Sequence, residues 1–200
     1  REMVDSINYA LRLQNAIIPT KGRVKAAFPQ SFVLYKPKDI ISGDFYWMNE
    51  MEDRTLIAAV DCTGHGVPGA MVSVVGANGL NRSVKEFGLT EPGQILEKLS
   101  ELVQETIESG EDKVKDGMDG ALISIENVSK SKSDAKEDSV ALAHPDSYRG
   151  TKLTYAGANN PLWIVRKGAT EIEEIKANKQ PIGNFEHAQA FTTHEVELHP

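Results

Sequence analysis

The chain has 200 residues, of which 40% are hydrophobic, and it carries a formal charge of −7. That length supports one domain, which can bury roughly 70% of the surface of its unfolded chain. The negative charge argues against a protein that binds nucleic acid through its phosphates, and the single cysteine, Cys62, excludes a disulfide framework and a multi-cysteine metal site.

The first twenty residues predict a short amphipathic helix ahead of the main body. Apolar residues recur there at helical spacing with polar residues between them, and Pro19 ends the pattern. Two interpretations stay open: a helix packed on its own domain, or a linker or dimerisation helix that joins an upstream sensor. The apolar positions are Met3, Ile7, Ala10, Leu11, Ile17 and Ile18.

Strand-like segments follow, and the sequence predicts strands at 32–35, 44–48 and 55–61. Turn residues separate these segments by only a few positions, which favours antiparallel hairpins. Two adjacent helices are predicted over 67–86 and 92–108. Further strands are predicted at 121–125, 152–155, 162–165, 170–175 and 191–198. The polar segment between them, at about 127–150, predicts a mobile surface insertion.

A glycine-rich loop joins the third predicted strand to the first long helix. Gly64, Gly66 and Gly69 form a literal G-x-G-x-x-G, the pattern of a dinucleotide site. Such a site requires a parallel strand after the helix, whereas a second helix follows here. Asp61 at the head of the loop would also repel a pyrophosphate. A nucleotide site is therefore a poorly favoured hypothesis for this loop.

Two aspartates bound the predicted hairpin, and they indicate a different chemistry. Asp44 and Asp61 lie seventeen residues apart, so strand pairing can bring both carboxylates to one edge of the sheet. Two carboxylates and an adjacent backbone carbonyl form an oxygen-only site, which Mg²⁺ and Mn²⁺ prefer. The glycines would let the backbone pass close to a cation without Cβ clashes.

Four segments, in this order, carry a resemblance to a known family: ISGDFYW at 41–47, DCTGHGVPGA at 61–70, KDGMDGAL at 115–122 and LTYAGANNPL at 153–162. From about residue 11 to residue 198 the chain resembles the stage II sporulation protein E-type serine phosphatases. These form a bacterial branch of the metal-dependent protein phosphatase 2C superfamily.

The resemblance implies an α+β fold, an αββα sandwich of two antiparallel sheets flanked by helices. It also implies two Mn²⁺ or Mg²⁺ ions that hydrolyse phosphoserine or phosphothreonine without a covalent intermediate. Residues 1–20 would be the linker or regulatory helix and residues 21–200 the phosphatase 2C-like domain. The family continues into further strands with more acidic ligands, so we expect a C-terminally truncated domain that lacks them.

The resemblance also assigns site residues by position. Asp44 and Asp61 match metal-ligand aspartates, Asp61 being the bridge between the two ions, and Cys62 stands where the family uses a backbone carbonyl. Asp119 is a further candidate metal ligand, with a structural role at the strand start as the alternative. His65 is a candidate catalytic acid, and its alternative role is to support the loop.

The family's usual partners complete the expectations. The implied substrate is a phosphorylated protein, an antagonist of an anti-sigma factor, and an upstream sensor domain in the same chain would control activity. A homodimer through the N-terminal helix is also implied. No run is long and apolar enough to cross a bilayer, so we expect a cytoplasmic domain, or the cytoplasmic part of a membrane-anchored protein. The second functional hypothesis is a catalytically silent signalling or dimerisation module.

Overall fold

The structure is a computed structural model that describes residues 2–108, 116–126 and 151–198. The helices are α1 (Glu2–Ile17), α2 (Lys21–Ala27), α3 (Gly66–Lys85) and α4 (Pro92–Glu108). The strands are β1 (Phe45–Glu50), β2 (Arg54–Cys62), β3 (Gly117–Glu126), β4 (Thr151–Ala158), β5 (Leu162–Ile164), β6 (Glu173–Ile175), β7 (Ile182–Gly183) and β8 (His194–Leu198).

Two antiparallel sheets organise the described residues. The larger has six strands in the order β1-β2-β3-β4-β8, and β7 pairs with β3 beside this path. The smaller sheet is the β5–β6 hairpin. Every strand pair in both sheets is antiparallel, as the closely spaced strand segments predicted.

One face of the large sheet packs against α3 and α4 and forms the main core. Strand residues that alternate toward this face meet apolar helix residues there, because side chains alternate between the two faces of a strand. Leu56 and Leu122 on the strands, and Leu80, Ile95 and Leu99 on the helices, are all completely buried. The helix pair is therefore the support that fixes the position of β1, β2 and β3.

The opposite face of the sheet is covered in two ways. Near β4 and β8 the β5–β6 hairpin packs on it, where Leu153, Tyr155, Ile164 and Val196 form a second core cluster. Near β1 and β2 the segment after α2 borders an apolar cleft of about 980 Å³. The α+β architecture of antiparallel sheets with packed helices is thus confirmed.

Most predicted elements are found, with shifts at their ends. The helix predicted at 92–108 has those bounds, and the one predicted at 67–86 spans Gly66–Lys85. The strand predicted at 32–35 is wrong, because this extended segment pairs with no described strand and leaves Phe32 88% exposed and Leu34 76% exposed. The predicted insertion at 127–150 lies outside the described residues. Neither α2 nor the two-residue β7 was predicted.

The N-terminal helix contacts the rest of the domain. Ile17 and Ile18 pack against the main core, and α1 also contacts α3. The domain boundary near residue 20 stays a prediction. Among the described helices, none combines the length and apolarity that crossing a membrane requires.

Candidate metal centre

The β1–β2 hairpin places Asp44 beside Asp61. Its ladder runs from Glu50–Thr55 near the turn to Phe45–Val60 at the far end. Asp44 immediately precedes β1 and Asp61 is the next residue of β2, so the two aspartates continue the same ladder. The hairpin thereby brings both side chains to one edge of the sheet, as the sequence predicted.

The two carboxyl groups are close enough to share a proton. The pKa of Asp61 is raised above its usual value, first by burial, then by a hydrogen bond with Asp44, and then by the charge of Asp44. A carboxyl group is harder to ionise beside another carboxylate. A cation between them would remove that penalty, so two adjacent carboxyl groups of this kind suit a divalent-cation site.

The glycine loop packs backbone to backbone against the segment that carries Asp44. A Cβ on Gly69 would lie 2.5 Å from the carbonyl oxygen of Gly64 and 3.1 Å from the Cα of Gly43. A Cβ on Gly43 would lie 2.9 Å from the Gly64 oxygen and 3.1 Å from the Cys62 oxygen. Glycine is required at both positions because the loop and the strand leave no room for a side chain.

The Cys62 side chain has a different environment from its carbonyl. The thiol lies in the main core and is 3% exposed. Burial raises the pKa of the Cys62 thiol, and the charges of Asp61 and Asp44 raise it further. The thiol is therefore held protonated inside the core, so any contribution of this residue to the site comes from its backbone oxygen.

A third strand adds Asp119 to the same edge. Asp61 and Asp119 are direct partners in the β2–β3 ladder, and such partners lie on the same face of a sheet. The Asp119 carboxylate accepts a hydrogen bond of 2.8 Å from the side-chain amide of Asn159. Asp61 and Asp119 thus lie on neighbouring strands, and Asp44 lies just before the next strand of the sheet, so the three form one row.

An open cleft of about 440 Å³ lies beside Asp61 and Asp119. Its lining includes the aspartates of β2 and β3 and the glycine loop with His65. The Nδ1 atom of His65 lies 3.2 Å from a carboxylate oxygen of Asp39, and the side chains of these residues are 73% and 42% exposed. The cleft is accessible to solvent, as a site for a protein-bound phosphate must be.

The donor set fits a hard divalent cation. Two carboxylates in contact, with backbone carbonyls from the glycine loop beside them, are the oxygen ligands that Mg²⁺ and Mn²⁺ take. Among the described residues, no three or more His, Cys, Asp or Glu side chains are grouped closely enough to hold a metal. The side-chain part of the centre is therefore the Asp44–Asp61 pair, with Asp119 alongside it and hydrogen-bonded to an amide.

Contacts from the N-terminal half hold the Asp44 segment in place. Gln14 of α1 is 3% exposed, and its side chain donates to the Ser42 oxygen and to the hydroxyl of Ser73, and accepts from the Ser42 nitrogen. The Tyr35 hydroxyl donates to the Asp44 carbonyl over 3.1 Å. Burial, opposed by a hydrogen bond with Ser42, raises the pKa of Tyr35, and the Asp44 charge adds to this. The phenol is therefore kept as a donor.

A further aspartate of the KDGMDGAL segment has a structural contact. Asp116 accepts a hydrogen bond of 3.1 Å from the Thr63 hydroxyl. The Thr63 hydroxyl oxygen also accepts a hydrogen bond from the backbone N–H of Gly117. The backbone N–H of Thr63 donates in turn to the Gly117 carbonyl oxygen. These bonds tie the end of β2 to the start of β3 and so keep Asp61 opposite Asp119.

Sequence reasoning assigned no role to Gln14, Asp39 or Asn159. Gln14 had a visible signal, since a polar residue there interrupts the apolar face of the predicted helix. Asn159 lies within the LTYAGANNPL segment, where its type alone indicates only a turn. Asp39 follows two lysines in a charged stretch, and no local pattern connects it with His65, which is 26 residues away.

Comparisons with known proteins agree with this arrangement. The sequence pattern of the family "Stage II sporulation protein E (SpoIIE)" matches residues 51–200, which is 150 of the 200 residues. Among curated proteins, none matches the sequence. The matched range includes Asp61 and Asp119 but begins after Asp44.

Solved structures show the same fold. The chain is similar to the SiaA-PP2C domain of Pseudomonas aeruginosa, with 26% identity and a TM-score of 0.74, over 100% of this chain and 68% of that chain. It is also similar to the RsbU and RsbW domains of a Mycobacterium tuberculosis protein, with 17% identity and a TM-score of 0.53, over 82% of this chain and 38% of that chain. The chain belongs to the stage II sporulation protein E family, and its fold is that of phosphatase 2C domains.

Proposed function

We propose that this chain is a metal-dependent protein serine/threonine phosphatase that uses Mn²⁺ or Mg²⁺. The observation that carries the proposal is the pairing of Asp44 with Asp61 at one edge of the sheet, where Asp61 lines an open cleft. Burial and the neighbouring Asp44 raise the pKa of Asp61, and a divalent cation beside the two carboxylates would offset their repulsion. The likeness to a phosphatase 2C domain supports the same chemistry.

Each residue of the site has a role in this proposal. Asp44 and Asp61 would hold two cations, with Asp61 between them and the Cys62 carbonyl as a further ligand. Such ions supply a water of lowered pKa and offset the negative charge of the phosphate. Asp119 is a weaker candidate for a metal ligand than Asp44 or Asp61, because one of its oxygens accepts a hydrogen bond from Asn159. Gly43 and Gly69 let the loop backbone lie against the segment that carries Asp44, because a side chain at either position would collide with backbone oxygens.

His65 would act on the leaving group. When water attacks phosphorus and the P–O bond to serine breaks, the serine oxygen must gain a proton, and a doubly protonated imidazole ring can donate one from Nε2. Asp39 accepts from Nδ1, which leaves Nε2 for the substrate. Accordingly, His65→Gln should slow hydrolysis of phosphoserine much more than hydrolysis of an aryl phosphate, whose leaving group needs no proton. Equal slowing of both would assign His65 to loop support.

The proposal also covers the substrate and the control of activity. A phosphorylated antagonist of an anti-sigma factor is the proposed substrate. Gln14 gives α1 a direct connection to Ser42, two residues from Asp44. A sensor domain upstream in the chain could therefore act on the site by moving α1, and dimerisation through α1 would act on the same contact.

A second candidate function is a catalytically silent module that keeps the phosphatase scaffold. One observation favours it, because the described residues contain no group of three metal-binding side chains. Such a module would not bind Mn²⁺ in calorimetry, whereas the phosphatase must bind it.

The deciding experiment measures phosphate release from a phosphoserine peptide with and without Mn²⁺. We expect Mn²⁺-dependent release that Asp61→Asn abolishes. Asp53→Asn is the matched control, because Asp53 lies at the other end of the hairpin, where it pairs with Arg54. The phosphatase proposal is refuted if the chain binds Mn²⁺ but releases no phosphate, or if Asp61→Asn releases it as fast as the unmodified chain.

A further inference from the structure

Asn159 has an unusual backbone conformation. Among the described residues it is the only non-glycine residue with positive φ, at 58°. This left-handed region disfavours side chains, and glycine adopts it most readily, with asparagine tolerated. A non-glycine residue held there invites a functional explanation.

The loop around Asn159 is held by backbone hydrogen bonds on both sides. The Asn159 nitrogen donates to the Asn178 oxygen over 2.9 Å, and the Asn178 nitrogen donates to the Gly157 oxygen over 2.9 Å. The buried Tyr155 hydroxyl donates to the Asn160 oxygen over 2.6 Å. These bonds determine the direction in which the residue at position 159 projects, whatever its side chain.

The Asn159 side chain reaches from the end of β4 to β3. Its amide nitrogen donates to one carboxylate oxygen of Asp119 over 2.8 Å, and Asp119 lies directly opposite Asp61 in the β2–β3 ladder. A glycine would satisfy the backbone better but could not make this contact. The identity of the residue is therefore explained by the amide and not by the turn alone.

The charge of the donor matters as well. Asp44, Asp61 and Asp119 form a row of three acidic side chains, and the first two are in hydrogen-bond contact with each other. A neutral amide can fix the third carboxylate without adding charge to the row or neutralising it. A lysine or arginine in this place would compete with a cation for the same oxygen.

We propose that Asn159 is a positioning residue for the cation site. Its amide holds one oxygen of Asp119 and so leaves the other oxygen for a divalent cation or the water around it. This inference rests on the proposed function, because it requires a cation bound next to Asp119. Outer partners of metal-site residues typically change affinity by about 10- to 100-fold when they are lost.

The experiment compares Asn159→Gly with Asn159→Ala in the whole chain. Mn²⁺ affinity is measured by calorimetry, and the thermal midpoint is measured without metal. Glycine keeps the left-handed backbone and removes the amide, whereas alanine removes the amide and strains the backbone. We expect both variants to lose Mn²⁺ affinity by about 10-fold or more, while only Asn159→Ala lowers the midpoint.

A double-mutant cycle with Asp119→Asn separates a direct effect from a general one. If Asn159 acts through Asp119, then Asn159→Gly should not weaken Mn²⁺ binding further in the Asp119→Asn background. Full Mn²⁺ affinity in Asn159→Gly would overturn the inference and leave the phosphatase proposal standing, and so would additive losses in the cycle. Absence of Mn²⁺ binding in the unmodified chain would instead overturn the proposed function, and the inference with it.

Discussion

Replacing Gly69 with alanine should separate the glycine loop from the segment that carries Asp44. The new Cβ would lie 2.5 Å from the Gly64 oxygen and 2.9 Å from the Gly64 carbonyl carbon. Both are backbone atoms, which cannot rotate away as the end of a flexible side chain can. The loop must therefore move as a unit, and the backbone oxygens beside the cation site move with it.

The size of the effect follows from two opposing contributions. Gly69 lies within α3, and a glycine-to-alanine change in a helix interior usually stabilises by about 0.5–1 kcal/mol. Inserting one carbon into a packed site costs about 1–3 kcal/mol, and here the obstacle is backbone. We therefore expect a net loss of about 1–2 kcal/mol, which lowers the melting temperature by several degrees for a domain of this size.

The matched control is Gly22→Ala in α2, where no atom lies within 4 Å of the added Cβ. This change should leave Mn²⁺ affinity unaltered and raise stability slightly. Denaturant unfolding gives the stability of each variant, and calorimetry gives its Mn²⁺ affinity. If Gly69→Ala proves as stable as the unmodified chain and binds Mn²⁺ equally well, the close contact between loop and strand does not shape the site.

Three more predictions concern the surroundings of the same site. A raised folded-state pKa means that Asp61 contributes stability below its unfolded pKa and loses it as pH rises through the folded value. Asp61→Asn should therefore stabilise the metal-free protein at neutral pH, by about 1 kcal/mol or less because the Asp44–Asp61 pair is only partly buried and solvent screens its charges. It should not do so in acid, and thermal melts at both pH values test this. Gln14→Leu removes the partners of the Ser42 backbone, so unfolding should become easier by about 1–3 kcal/mol, and an unchanged denaturation midpoint would contradict it. Because burial keeps the Cys62 thiol protonated, a thiol reagent should label it only after unfolding, and rapid labelling of the native protein would show that the thiol is accessible. Since the thiol lies in the core, Cys62→Ala should also keep Mn²⁺ affinity.

Local patterns predicted the elements that depend on local physics. The apolar spacing of Ile95, Leu96 and Leu99 sufficed for α4, because all three are buried in the main core. The pairing of Asp44 with Asp61 could be inferred because the turn between β1 and β2 is short, which leaves little choice of register. These features need no information about distant parts of the chain.

Features that depend on distant contacts could not be predicted. The segment at 32–35 has strand composition, but no described strand pairs with it, so composition alone was misleading. The contact of His65 with Asp39 requires two loops to meet. The role of Asn159 depends on the sign of φ and on the position of β3 next to β4. Each of these is a property of the assembled sheet.

The turn between β1 and β2 lies at the opposite end of the hairpin from the two aspartates. β1 has six residues, and at about 3.3 Å per residue the separation is about 20 Å. A fluorescent label attached to an exposed residue of this turn, such as Asp53, keeps the turn length and would leave the ladder beyond it in register. The turn thus offers an attachment point from which a fluorescent label can report cation binding at the Asp44–Asp61 end of the hairpin without contacting that site.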